Sequence, residues 1–391
     1  MVTALPGREP LLRALIDICG PDFARKAGAA DLVAGHLASF VAVPATTHAV
    51  TDTMRLAAER GLAVVPRGAG SKIDWGKPPG GIDLLLDTGR LAGIWDHRPE
   101  ELTAEVGTGT PVRAVQAALA LRGQRLAVDP PSQEATIGGM LAVNESGPLR
   151  YGYGSPAAQV SSIKYVDFEG VPAESDGERG RPGIAEVSGV ILSAKVRLQP
   201  LPTARRWVTT VVSTPLQLHS LVEDVLAQRV EPSAIELDLP TTSETRLAGQ
   251  PPGALGVLLE GGPASVTERA EQLARALGNG AAVTPTAPKW WGRYPFGHND
   301  VALRITVPIS DLRAAVFALR DAAGMSVPVR GSAGAGAVHA VLPGTVTAKR
   351  VEGILDAVRG VLLARGGRCV VIAAPPKIAT RVDMAGRRDL F

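Results

Sequence analysis

The sequence predicts an α+β protein in two parts, and three observations carry that prediction. A chain of 391 residues exceeds what one hydrophobic core usually serves, so two domains are expected. Between about 37 and 65 the pattern reads strand, helix, strand: LASFVAVPA, HAVTDTMRLAAERG, LAVV, with Gly61 where a helix ends. Beyond Pro202 the order βαββα occurs twice, as in ferredoxin-like α+β halves. The expected domains are 1–202 and 203–391.

In the first part, strands are read at IDLLLDT (82–88), LAGIWD (91–96) and ELTAEVG (101–107), then a helix at VRAVQAALALRG (112–123). A glycine-rich stretch follows Pro130-Pro131, then SSIKYVDFEG and GVILSAKVRLQPLP. The second part opens with strand WVTTVVS, helix PLQLHSLVEDVLAQR, strands AIELDLP and ALGVLLE, and helix ASVTERAEQLARALG. It repeats as strand VALRITVP, helix DLRAAVFALRDAA, strands around MSVPVRG and AVHAVLP, helix TAKRVEGILDAVRGVLLARG and strand RCVVIAA.

Composition excludes several function classes. A hydrophobic fraction of 45% with 20% charged residues is that of an ordinary globular chain, so global disorder is not expected. The net charge of +3 comes from Lys and Arg scattered among acids, which does not imply nucleic acid. No apolar run approaches the roughly 18 residues of a membrane span, and MVTALPGREP lacks the basic start and apolar stretch of a leader. The expected location is the cytoplasm, with the inner membrane face reached only through partners. Cys19 and Cys369 have no CxxC or histidine spacing, so no metal site is expected and both read as packed hydrophobes.

The loop PRGAGSK (66–72) sits at the carboxyl end of a strand, where open α/β layers hold ligands. Successive N–H groups of such a turn can converge on phosphate oxygens, and glycine lets the ligand come close. A plain glycine turn has the same composition. Nicotinamide and ATP motifs are absent: no GxGxxG opens a helix here, and Gly76-Lys77 is followed by Pro78 where a P-loop needs Ser or Thr. A second cluster, PPSQEATIGGMLAVNESGPLRYGYG, supplies small residues and hydroxyl or amide groups suited to a long, flat ligand bearing phosphate.

With these two segments and ELTAEVGTGTPVRAVQAAL between them, the chain resembles the FAD-binding domain of the vanillyl-alcohol oxidase, or PCMH, type. The resemblance is strongest to the accessory flavin subunits of bacterial glycolate oxidases. It runs from about Val41 to Pro202 and more loosely onward. It implies two α/β subdomains binding FAD, followed by a ferredoxin-like α+β cap domain. The cofactor residues it implies are Pro66, Arg67, Gly68, Ala69, Gly70 and Ser71 on the first loop. Pro130, Thr136, Ile137, Gly138, Gly139, Asn144, Ser146, Gly147 and Gly154 follow on the second segment, with Val190 and Ile191 at the nucleotide end. Ser71 stands where covalent members carry the linking histidine, so non-covalent FAD is expected.

Three departures bear on catalysis. About twenty residues of the usual glycine-rich flavin segment are missing between SSIKYVDFEG and GVILSAKVRL, and Glu174 to Arg181 reads as a solvated loop. In RGSAGAGAVHAVLP, Ser332, Ala335 and Ala337 replace the histidine, aspartate and asparagine of related catalytic subunits, and His339 alone is kept. The chain also stops soon after VDMAG, without the family's usual closing segment.

The catalytic candidates are therefore His339, as a base or as a structural histidine, and Arg293, for a carboxylate. Arg293 lies in KWWGRY (289–294), a stretch that together with His298 could line a pocket or bury a seam between domains. Oxidation of a 2-hydroxy acid needs both a base and a carboxylate-binding cation. The resulting expectation is an FAD-binding accessory subunit of a glycolate or 2-hydroxy-acid oxidase (dehydrogenase) complex, with a catalytic flavin subunit and an iron–sulfur subunit as partners. An autonomous FAD-dependent oxidoreductase acting on a small 2-hydroxy acid, and a degenerate scaffold without FAD, remain open alternatives.

Overall fold

The structure is a computed structural model and describes residues 8–176, 184, 187–240 and 253–386. The chain forms two compact units. The first draws on residues up to Asp74, on Pro78–Glu145 and on Ser155–Leu201. The second takes the chain from Pro202 onward together with Trp75–Lys77 and Ser146–Gly154.

The first unit opens with a helix not read from the pattern, α1 (Arg8–Cys19), which buries Leu11, Leu15 and Cys19 at four-residue spacing. Helix α2 (Thr47–Glu59) starts where the Thr46 hydroxyl accepts from the Ala49 N–H at 3.1 Å, and it buries Val50, Met54 and Ala57. Both helices pack on a four-stranded sheet of β1 (Ala24–Lys26), β2 (Phe40–Ala42), β3 (Val64–Arg67) and β4 (Leu84–Asp87), in the order β1-β2-β4-β3. Strands β2, β3 and β4 run parallel, so the carboxyl ends of β3 and β4 lie side by side. Full burial of side chains such as Leu84 and Leu86 contributes about 1.5–3 kcal/mol each.

The other subdomain is an antiparallel sheet of β5 (Ile94–Arg98), β6 (Thr103–Gly107), β7 (Val160–Asp167), β8 (Pro172–Asp176) and β9 (Gly189–Arg197), in the order β8-β7-β9-β6-β5. Helix α3 (Val112–Ala120) and the short helix α4 (Ile137–Ala142) cover it through Val115, Leu119, Ile137 and Leu141. Two expectations are corrected here. The strand read at 91–96 begins only at Ile94, because Leu91 and Gly93 turn the chain with their carbonyls bonded to Gly109 and Gly107. Residues 174–176 are strand rather than loop, pairing with residues 162–164 of β7. The rest of the expected loop, residues 177–181, and the terminal residues 387–391 lie outside the described residues.

The second unit is one sheet of eight described strands: β10 (Ala204–Val212), β11 (Ala234–Leu239), β12 (Gly253–Gly261), β13 (Ala282–Thr284), β14 (Val301–Thr306), β15 (Val329–Ser332), β16 (Ala337–Leu342) and β17 (Arg368–Ala373). Their order, β13-β10-β12-β11-β15-β16-β14-β17, is two ferredoxin-like halves joined edge to edge by the antiparallel pairing of β11 with β15. Strand β13, not read from the sequence, completes the first half. Helices α5 (Pro215–Ala227), α6 (Pro263–Leu277), α7 (Leu312–Ala323) and α8 (Ala348–Leu363) share one core with alternate residues of the strands, such as Leu303, Ile305, Val338 and Ala340. Cys19 and Cys369 are both buried, as expected of packed hydrophobes. No helix among the described residues is long and apolar enough to cross a membrane.

Candidate flavin site

A cleft of about 230 Å³ opens in the first unit. Pro66, Arg67 and Gly68 contribute from the end of β3, Thr88 from beyond β4 and Thr108 from beyond β6. Gly138, Gly139 and Ala142 add the face of α4, and Gly189, Val190 and Ile191 the start of β9, with Ile184 and Val187 beside them. Seven residues expected from sequence thus meet at one place: Pro66, Arg67, Gly68, Gly138, Gly139, Val190 and Ile191.

The first loop supplies backbone donors. Among the described residues, none of the N–H groups of Gly68, Ala69, Gly70, Ser71 and Lys72 donates to a protein acceptor. Five consecutive donors without a protein acceptor, on a chain turned at Gly70 with φ +74°, are the raw material of the concavities that hold phosphate oxygens. By contrast, the first N–H groups of α4 are already spent. Ile137 donates to the Thr110 carbonyl, Gly138 to the Thr108 carbonyl, and Gly139 to the hydroxyl of Thr136, which caps the helix.

Glycine here chiefly lets protein segments touch. A Cβ at Gly68 would overlap the Thr136 hydroxyl, and one at Gly138 would overlap that of Thr108. Thus the first loop, α4 and the end of β6 are interlocked by residues without side chains.

Neither cation of the loop is free for phosphate. Arg67 donates to Asp87 at 2.8 and 3.0 Å and to Asp31 at 3.3 Å. Asp31 is buried and also accepts from Arg25, which is the main reason its carboxyl is held down at about 2. Lys72 donates to Glu145 at 2.6 Å and to the Ser71 hydroxyl at 3.0 Å. The Arg67 guanidinium therefore braces the strand ends.

The remaining cofactor candidates lie elsewhere. Asn144 stands at φ +48° and accepts from the Ala157 N–H at 3.0 Å, fastening the second segment to its own unit. Pro130 is not among the residues lining the cleft. Ser146, Gly147 and Gly154 belong to the second unit, where the helical turn Arg150–Tyr153 bonds to the Ser233 carbonyl through Gly152.

The catalytic candidates are both in the second unit. His339 on β16 stands opposite Arg304 on β14 and Arg330 on β15. Its ring meets Tyr294 edge-on at 4.9 Å and Phe296 at 6.1 Å, in a cluster that also holds Trp75. Burial first, then Arg304 and Arg150, pushes its pKa down to about 3. The imidazole is therefore neutral near pH 7 and a feeble acceptor for a hydroxyl proton. Arg293 is exposed, with no hydrogen bond or ion pair among the described residues. Trp290 and Trp291 lie on Gly256 of the sheet, and Trp291 also meets Trp207 at 6.3 Å, so this pair is packed within its own unit. No group of three or more metal-ligating side chains occurs among the described residues.

Sequence reading missed Thr88, Thr108 and Ala142 in the cleft and the carboxylates Asp31, Asp87 and Glu145 around it. Glu145 carried one signal, a lone acid two residues behind the apolar run MLAV.

The chain is similar to several known proteins. Residues 38–173 match the family described as FAD binding domain. The glycolate oxidase subunit GlcD of Bacillus subtilis (strain 168) is 26% identical over 65% of this chain and 60% of its own length. The glycolate oxidase subunit GlcE of Escherichia coli (strain K12) is 28% identical over 54% of this chain and 59% of its own. The chain thus spans about 60% of the length of these relatives. Among solved structures, an alkyldihydroxyacetonephosphate synthase superposes with a TM-score of 0.71 at 18% identity, covering 94% of this chain and 81% of that one. A p-cresol methylhydroxylase superposes at 0.69 and 13% identity, covering 96% and 91%. Pro66, Arg67, Gly68, Thr88, Thr108, Gly138, Gly139 and Ala142 of the cleft thus fall in the segment that matches FAD binding domains, on a chain that is similar to glycolate oxidase subunits and shares its fold with p-cresol methylhydroxylase.

Proposed function

We propose that this chain is an FAD-binding accessory subunit of a glycolate or related 2-hydroxy-acid oxidase complex, with oxidation carried out mainly by a partner flavin subunit and electrons passed on through an iron–sulfur subunit. The observation that carries the FAD half is the row of five unspent N–H groups from Gly68 to Lys72 beside the cleft. These amides would hold the pyrophosphate, and Thr88, Thr108, Gly138, Gly139, Val190 and Ile191 would line the bound cofactor. When bound, FAD supplies hydride and electron transfer chemistry. Ser71 offers no imidazole for attachment, so the cofactor is held without a covalent bond.

The accessory half rests on His339. A base whose pKa lies near 3 is poorly matched to removing a hydroxyl proton near pH 7, and Ser332, Ala335 and Ala337 bring no replacement. Relatives that are glycolate oxidase subunits give the complex its proposed substrate class. The cytoplasm, or the inner membrane face through partners, is the proposed location.

The test is reconstitution. The chain is purified with its flavin, assayed with glycolate or lactate and an artificial acceptor, and assayed again with candidate catalytic and iron–sulfur subunits. Turnover only in the complex is expected. Full turnover by the isolated chain would overturn the accessory assignment, and a colourless chain that takes up no FAD would overturn the flavin assignment.

A further inference from the structure

The first loop is fixed at both ends by one short piece of chain. Its beginning, Gly68, is seated against the hydroxyl of Thr136, immediately before α4. Its end, Lys72, is bonded to Glu145, just after α4, at 2.6 Å. The two side chains of that ion pair are only 6% and 0% exposed. Each has a second partner that points back to the site. Lys72 also donates to the Ser71 hydroxyl at 3.0 Å, and Glu145 also accepts from the Ser132 N–H at 3.0 Å. The pair therefore ties together residues 71, 72, 132 and 145, on the two segments that border the cleft.

Withdrawing two charges from water is costly, and a well-packed apolar pair of similar volume would serve stability as well or better. An ion pair has what an apolar contact lacks, a defined direction and distance. Between its anchors the loop carries five N–H groups whose use depends on their pointing into one concavity. We propose that Lys72 and Glu145 are a positioning pair for flavin binding: they set the conformation of residues 68–72, and thereby the affinity for FAD, without contributing charge to the cofactor. The proposal rests on the cleft being the FAD site and adds the residues that tune it.

Three variants of the full chain test it, with FAD affinity measured by quenching of flavin fluorescence and stability measured separately on the apoprotein. Lys72→Met should raise the Kd for FAD at least tenfold and lower Tm, because Glu145 is left buried without its cation. The double variant K72M/E145L should recover Tm, since the charge is gone from both sides, yet keep the raised Kd. Lys72→Arg should restore most of the affinity. A double variant with wild-type Kd would overturn the proposal by showing that the pair only packs, and so would a Lys72→Met chain that binds FAD normally. A wild-type chain that binds no FAD overturns the flavin reading itself, and the proposal with it.

Discussion

The loop at residues 68–72 and the strand pair around His339 hold the cofactor and the catalytic candidates, and they differ in what would carry their chemistry. In the loop the chemistry would be carried by backbone N–H groups and by the absence of side chains, and five consecutive N–H groups there have no protein acceptor among the described residues. Around His339 the chemistry would have to be carried by side chains, and the candidate there is one imidazole, held neutral by burial and by two arginines. Backbone chemistry needs only a fold and a few glycines. Acid–base chemistry needs several titratable groups tuned together, and is lost when any of them goes.

The sharpest break of this comparison is Gly138→Val. A side chain there would overlap Thr108, a residue that is itself buried, and crowding of that kind costs about 1–3 kcal/mol. Tm should fall and flavin should be lost together. Gly70→Val should separate the two effects. A Cβ at Gly70 meets only the Arg67 side chain at ordinary distance, so the damage comes from the left-handed backbone, at about 1–2 kcal/mol for a non-glycine residue. FAD binding should weaken at least tenfold while circular dichroism stays native. Unchanged flavin content would reduce the loop to a turn.

On the other side of the comparison, His339→Asn should act on stability through pH. The folded pKa is about 3 and the unfolded value about 6.5, so the unfolded chain takes up the proton first. Stability should therefore fall as pH drops from about 6.5 toward 3, with no contribution from this group above that window. The variant should flatten the decline between pH 6.5 and 4. Asp31, whose folded pKa is about 2, adds its own loss only below about pH 4. Turnover of the reconstituted complex should change much less than stability. An acid limb unaffected by the substitution would contradict the assigned environment of His339.

The smallest expected effect is that of salt. Arg67 and Lys72 are both engaged by carboxylates, so FAD affinity should change less than about threefold between low and high ionic strength. A steep dependence would mean that one of them leaves its carboxylate for the phosphates.

Much of the fold was legible because it is written in periodicities. The βαβ unit and the two βαββα series were read from alternating and helical patterns, and the resemblance supplied the flavin domain. What escaped was written in contacts. Helix α4 contains Gly138 and Gly139, poor helix formers, and stands because Thr136 caps it and Leu141 is buried. Strand β13 is three residues long and takes its register from β10. In the site, glycine positions were legible while side-chain roles were not. Nothing in the sequence shows that Arg67 is engaged by Asp31 and Asp87, 36 and 20 residues away. Nor does it show that Lys72 is met by Glu145, 73 residues on.

The proposed function has this chain hold flavin and leave the oxidation of 2-hydroxy acids to a partner. The most direct measurement is anaerobic addition of glycolate or lactate to the isolated, flavin-loaded chain while the visible flavin band is followed. The expected flavin band is one that acid or heat releases from the protein and that substrate does not bleach until the catalytic partner is added. Rapid bleaching in the isolated chain would contradict it.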